Sequence, residues 1–181
     1  PLGTLLTLKS KHEGLTETQR FELRCKQGRT IYGVEMKIVD AEGRELPRDG
    51  KAFGDLLVRG PWIVSGYFKG EGGNVLREGG WFPTGDVATL DPDGYMQITD
   101  RSKDVIKSGG EWISAIELEN IAVAHPAIAE AAVIGVHHDK WDERPIVVAV
   151  KKQGAEVTRE EMLKFYDGKV ASWMIPNDVV F

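Results

Sequence analysis

Asp86 follows Thr84-Gly85 in the stretch WFPTGDVATLDPDGYMQITDR, residues 81–101, and Asp100-Arg101 closes the same stretch. Glycine permits a backbone turn closed to other residues, so the carboxylate behind it sits on a short, stiff connection. A fixed carboxylate has two acceptor oxygens and can take both hydroxyls of a cis-diol, ribose among them, through charge-assisted hydrogen bonds. Arg101 presents five donors in a rigid fork and could reach a sugar or phosphate oxygen. Residue type alone also supplies plainer readings. Gly-Asp pairs are commonly turns or caps, and a charged pair at a strand end is commonly a solvated boundary. Lys103, Lys107 and Gly109-Gly110 add cations and permissive backbone close behind. By themselves these would pass for a charged edge strand and its turn.

The elements that would position these groups read differently on the two sides of residue 100. Residues 1–99 read mostly as strands and turns: Val34, Met36 and Ile38 alternate, Ala41-Glu42-Gly43 signals a turn, and FGDLLVRG and WIVSGYF give further short strands. Asp91-Pro92-Asp93-Gly94 punctuates VATL and YMQIT as a hairpin. Short β elements with Gly-rich joints predict a small barrel or distorted sheet. After Arg101, DVIKSGGEWI is strand-like, and Ser114-Ala115-Ile116-Glu117 is a capping box that opens a helix. That helix carries Ile116, Ile121 and Val123 as its apolar positions and stops at His125-Pro126. A strand EAAVIGV, a polar loop HHDKWDER and a strand PIVVAVKK follow, then a second capping box at Thr158–Glu161 opens the helix EEMLKFYDG, ended by Gly168. Strands interleaved with helices make this an α+β lobe, and the whole chain an α+β protein.

Composition narrows the function classes. The chain has 181 residues, 41% hydrophobic and 28% charged, as expected of a globular protein with a buried core. Its formal charge of -5 is spread among interleaved acids and bases, which leaves no electrostatic footprint for nucleic acid. The single cysteine, Cys25, allows neither an internal disulfide nor a metal cluster, and reads as a structural thiol in a reducing, cytoplasmic setting. No run of about 18 apolar residues predicts a transmembrane segment. His137-His138-Asp139 reads as a loop at a strand end, because adjacent side chains on an extended chain point to opposite faces. Trp62, Trp81, Trp141 and Trp173 read as core or rim aromatics. Pro1-Leu2-Gly3 lacks an initiating Met, and NDVVF at 177–181 is a β-branched run expected to be a strand cut in mid-course. A longer protein is therefore expected around this sequence.

Four motifs in order carry a resemblance. FGDLLVRGPWIVSGYF is similar to the segment G-E-L-x-x-x-G-x-x-V-x-x-G-Y of adenylate-forming acyl-CoA synthetases, and GWFPTGD to their W-x-x-T-G-D. DRSKDVIKSGGEWISAIELEN resembles the hinge motif D-R-x-K-D-x-I-K-x-x-G-x-x-I-x-x-x-E-x-E, and VASWMIP the segment that precedes the catalytic-lysine motif. GGEWIS with KWDERPIVVAV is most like the fatty-acyl and related medium-to-long-chain members.

The resemblance implies a distal β-rich, barrel-like part of the large adenylate-forming domain over 1–99, a hinge at 100–101, and an incomplete small mobile C-terminal domain over 102–181. It implies that Asp86 binds the ribose hydroxyls of ATP and of the acyl-adenylate, that Arg101 adds a second sugar contact, and that Asp100 is the hinge. Lys103 and Lys107 would approach nucleotide phosphate or acidic partners, with Gly109, Gly110 and Trp112 near the nucleotide or the pantetheine tunnel. The implied co-substrates are a carboxylic acid, ATP and CoA, with Mg2+, and the implied partner is the remaining N-terminal part of the same protein. The phosphate loop would precede residue 1 and the catalytic lysine would follow Phe181, so these residues should not adenylate alone. Lys164 and Lys169 read as helix-face lysines and do not take that role. GLTET at 14–18 resembles the family's Y-G-x-T-E stretch but reads better as a helix start capped by Thr16 or Thr18. Two alternatives stay open: another adenylate-forming enzyme, carrier-protein-loading or luciferase-like, and a non-catalytic binding module that kept the fold.

Overall fold

The computed structural model describes residues 3–181 and divides into two compact units, one running to Ser102 and one spanning Lys103–Phe181. In the first, β1 (Thr4–Leu5) pairs antiparallel with β2 (Arg29–Thr30), and α1 (Glu17–Arg24) lies between them in sequence. Thr16 caps α1, accepting from Gln19 N while the Gln19 side chain returns to Thr16 N, so GLTET is the start of a helix here. The remaining strands, β3 (Glu35–Val39), β4 (Phe53–Arg59), β5 (Phe82–Leu90) and β6 (Met96–Arg101), form an antiparallel meander in the order β3-β4-β5-β6. Val34, Met36 and Ile38 are all buried, as their alternation predicts. Met36 and Ile38 pack with Leu56, Ala88, Leu90 and Met96.

WIVSGYF departs from expectation, forming turns and bends rather than a strand. Gly60 sits at φ +150 before Pro61, and Trp62 and Tyr67 are left exposed, so no alternating face is buried there. The Asp91–Gly94 turn does form, with Gly94 at φ +83 and Asp91 Oδ1 accepting from the N–H groups of Asp93 and Tyr95. Lys9 and Lys11 reach Asp93 at 3.0 and 2.6 Å, and His12 Nε2 lies 3.6 Å from its second oxygen. The hydrogen bonds from Lys11 and then Lys9 hold this carboxyl well below the usual range.

In the second unit, β7 (Ile106–Ser108) and β8 (Glu111–Ile113) form a hairpin, followed by α2 (Ala115–Val123). The hairpin replaces the single strand read into DVIKSGGEWI. Gly109 and Gly110, at φ +63 and φ +88, make the two-residue turn, with the pair of positive φ values that glycine adopts without strain. Next come β9 (Ile128–His138), β10 (Asp142–Lys151), α3 (Arg159–Lys164) and β11 (Asp178–Val180). β10 pairs antiparallel with β9 along its length and parallel with β11, so NDVVF is a strand as expected. The expected polar loop HHDKWDER is mostly ladder: His138 pairs with Asp142, and Glu143 and Arg144 lie within β10.

Ser114 Oγ accepts from Glu117 N, and Thr158 with Glu161 completes a reciprocal capping box. Of the expected apolar positions of α2, Ile121 packs against the core, half-buried, but the buried face otherwise differs. Ala115, Leu118 and Ala122, spaced i, i+3 and i+7, face the core, while Ile116 and Val123, one position round the helix, are exposed. Leu118 packs with Ile106, Ile113, Ile128, Val147, Met162 and Tyr166. Tyr166 donates its hydroxyl to Leu118 O at 2.9 Å, and burial, followed by the nearby Glu119 charge, pushes its pKa up. Glu119 also accepts from Val133 N on the edge strand β9, occupying an amide that would otherwise invite another strand. No helix among the described residues is long and apolar enough to cross a membrane.

Candidate functional site

Two register irregularities meet at Asp86. β4 pairs Asp55 with Val87 and then Leu57 with Pro83, so Thr84, Gly85 and Asp86 all bow outward opposite Leu56. β5 pairs Asp86 with Arg101 and Val87 with Asp100, then skips to Ala88 with Ile98. Thr84 Oγ1 donates to Leu56 O at 3.1 Å and accepts from Asp86 N at 3.1 Å, pinning both sides of Gly85, which takes φ +77. The bulge therefore aims a carboxylate from a backbone that is itself tied down.

Asp86 and Arg101, directly opposite across the ladder, form an ion pair with Arg101 Nη1 2.5 Å from Asp86 Oδ1. The second Asp86 oxygen has no hydrogen-bond partner among the described residues. Asp86 is 19% exposed at its side chain and Arg101 56%. Asp100 is buried, and its Oδ1 accepts from Arg101 N at 2.8 Å. The three residues thus lie at one end of the β5–β6 ladder, where the side chains of Asp86 and Arg101 meet and Asp100, at the alternate buried position, holds the Arg101 backbone.

The others belong to the second unit. Lys103 and Lys107 are exposed, and Trp112 is half-buried opposite Lys107. Lys107 N donates to Glu143 Oε2, and Gly109 N donates to Trp141 O at 2.8 Å, which ties the Gly-Gly turn to the β9–β10 turn. A Cβ on Gly109 would lie 2.8 Å from Trp141 Cε3, so the indole rests on bare backbone. Beside it lies a cavity of about 600 Å³ lined by Ser108, Gly109, Glu111, Trp141, Arg144, Trp173 and Asn177.

Arg144 builds that cavity. Its guanidinium donates to Asn177 Oδ1 at 2.9 Å, Ser108 Oγ at 3.0 Å, Trp173 O at 2.6 Å and Ile175 O at 2.8 Å. All four acceptors are neutral, and desolvation pushes its pKa down. Sequence reasoning misses Arg144 and Asn177 and leaves Trp141 and Trp173 as generic aromatics. An arginine between Trp141 and Pro145, the one cation among three charged residues there, is the available signal. His137 Nε2 and Asp139 Oδ1 lie 3.5 Å apart with both side chains exposed, and no group of three or more His, Cys, Asp or Glu among the described residues could hold a metal.

Residues 117–181 match the AMP-binding enzyme C-terminal domain family. The full 181 residues are 59% identical to part of a 3-methylmercaptopropionyl-CoA ligase of Ruegeria lacuscaerulensis, covering all of this chain and 33% of that protein. They are 51% identical to part of a medium-chain-fatty-acid–CoA ligase of Ectopseudomonas oleovorans, with the same coverage. Among solved structures, ATP-bound MatB from Rhodopseudomonas palustris superposes with a TM-score of 0.74 at 33% identity, over 87% of this chain and 31% of that one. The chain spans about a third of the length of the curated relatives it matches.

Proposed function

We infer that this chain, a member of the adenylate-forming acyl-CoA synthetase family whose C-terminal domain occupies residues 117–181, is part of an acid–thiol ligase. The whole enzyme would activate a carboxylic acid with ATP and pass the acyl group to CoA. The observation that carries this reading is the Asp86 carboxylate held on a bulged ladder with one oxygen unengaged and Arg101 directly opposite.

In the first half-reaction an oxygen of the acid attacks the α-phosphorus of ATP, giving acyl-AMP and pyrophosphate. In the second, the thiol of CoA, losing its proton, attacks the acyl carbon and AMP leaves. Asp86 accepts the two ribose hydroxyls, and Arg101 turns from its present salt bridge to share the sugar. Exchange of an exposed ion pair for charged hydrogen bonds to a ligand costs little, since exposed pairs contribute ~0–1 kcal/mol. Asp100, buried and bonded to the backbone, anchors the fixed side of a hinge, and the small lobe turns beyond it between the two half-reactions. We assign residues 1–99 to the large domain and 102–181 to the mobile lobe.

Lys103 and Lys107, exposed cations at the lobe's start, would meet phosphate oxygens. Gly109 and Gly110 give a turn over which a slender pantetheine chain could pass, and Trp112 flanks it. The Arg144 cavity, lined by two indoles, Glu111 and a guanidinium whose four hydrogen bonds go to neutral acceptors, suits the CoA end of the reaction better than the acid. No residue of this chain is given the role of polarising the carboxylate, so these 181 residues alone do not adenylate. The described residues offer no cluster for Mg2+, which is expected to accompany the nucleotide phosphates. The resemblance to fatty-acyl members favours a medium or long acyl substrate, and the lone thiol fits a cytoplasmic enzyme.

Pyrophosphate exchange and thioester formation by the full-length protein, across acids of graded chain length, test this reading. Absence of acid-dependent exchange would leave the non-catalytic binding module in its place.

A further inference from the structure

Ser102 is the last residue of the unit that carries Asp86, and it follows Arg101 directly. Its backbone N–H donates to Gly85 O at 3.0 Å, and its hydroxyl donates to Asp55 Oδ1 at 2.7 Å. Gly85 lies on β5 and Asp55 on β4, so one serine is fastened to two strands. On the other side of Arg101, its own N–H is held by the buried Asp100. The Arg101 backbone is thus gripped from both neighbours while its side chain remains mostly in solvent. Asp55 stands where the β4–β5 register breaks, the same irregularity that bows Asp86 outward. Arg77 Nη2 lies 3.5 Å from its second oxygen, a contact at the limit of hydrogen bonding.

We propose that Asp55 and Ser102 are positioning residues for the ligase reaction, holding Arg101 in the register that lets its guanidinium share a ribose with Asp86. This rests on the reading of Asp86 as the ribose acceptor. A hydroxyl–carboxylate bond suits such a clamp, being short and charge-assisted and joining the linker to a bulge rather than to a regular ladder. Asp55→Asn keeps an acceptor oxygen for Ser102, whereas Asp55→Ala and Ser102→Ala remove the bond.

The test uses the full-length enzyme with ATP titrated in the pyrophosphate-exchange and thioester assays. Ser102→Ala and Asp55→Ala should each raise KM for ATP about threefold to tenfold, the range expected for one lost hydrogen bond acting on ligand position, while kcat for exchange changes less than about twofold. Ser102→Thr and Asp55→Asn should restore most of the loss. Because Ser102 acts through Arg101, the double variant Arg101→Ala/Ser102→Ala should bind ATP no more weakly than Arg101→Ala alone. Additive effects, or a lowered melting temperature with KM for ATP unchanged, overturn the proposal. An active wild type that loses ATP affinity on Asp86→Ala yet ignores Ser102→Ala overturns the positioning role alone. A wild type indifferent to Asp86→Ala overturns the reading of the site together with it.

Discussion

Two arginines in this molecule do opposite work. Arg101 meets a carboxylate, Asp86, and is 56% exposed, whereas Arg144 meets only carbonyl, amide and hydroxyl oxygens and is partly desolvated. An exposed pair of opposite charges contributes little to stability and is readily traded for a ligand. A guanidinium that braces four neutral acceptors is different: take it away and the acceptors lose partners that water replaces only where it can enter. Of these two arginines, the paired one is the exchangeable contact and the one without a charged partner is the brace.

Arg144→Ala should have the largest effect, destabilising the lobe by about 2–4 kcal/mol, because it removes several charged hydrogen bonds at once. Denaturant unfolding of the chain reads it. Arg101→Ala, by contrast, should cost less than about 1 kcal/mol in the same measurement. Equal costs would abolish the distinction. The next largest effect is on ligand rather than fold: Asp86→Ala should weaken ATP binding to the full-length enzyme by about 2–3 kcal/mol, given charged hydrogen bonds of about 1.5 kcal/mol or more each. Calorimetry showing unchanged affinity would remove Asp86 from the exchangeable class.

Glycines extend the same contrast. Gly85 and Gly109 both hold positive φ, +77 and +63, but a Cβ on Gly85 meets open space while one on Gly109 meets Trp141 at 2.8 Å. Gly85→Ala should therefore cost about 1 kcal/mol of backbone strain, and Gly109→Ala about 1–2 kcal/mol more, with the indole displaced. Unfolding and tryptophan fluorescence would check both, and equal costs would show that Trp141 moves aside freely.

What can be seen in the sequence follows the range of the interactions. Thr16 and Thr158 cap helices through residues three positions away, and the alternation of Val34, Met36 and Ile38 is a property of a few neighbours. Asp86 and Arg101 are legible because the turn and hairpin that bring them together lie in one 21-residue stretch. Arg144 is not, since its acceptors lie 29 to 36 residues away and depend on β7, β10 and the approach to β11 meeting. The buried face of α2 is hidden for a related reason. Ala115 and Ala122 carry little hydrophobic signal, yet they permit the close approach to the sheet that Ile116 or Val123 would obstruct. WIVSGYF shows the converse, where β-prone residues form no strand because glycines and a proline set the backbone first.

Asp93 gives the smallest effect and the clearest dependence on pH. Its carboxyl faces Lys11, Lys9 and His12, and the two lysines hold it well below its ordinary value of 3.8. A carboxylate depressed in the folded state adds stability that is fully present above the unfolded value and fades as pH falls through the folded one. Asp93→Asn should accordingly melt slightly below the wild type at pH 7 and at pH 5, and the gap should narrow as pH falls below about 4. The deficit of Arg144→Ala should stay nearly constant over the same range, because none of its four acceptors carries a titrating charge. Melting curves of both variants from pH 7 to pH 2 separate the two kinds of support: a deficit that closes with acid belongs to paired charges, and one that persists belongs to the neutral brace. A pH-independent gap for Asp93→Asn would mean that the Lys9–Lys11–Asp93 cluster holds the segment through packing instead of charge.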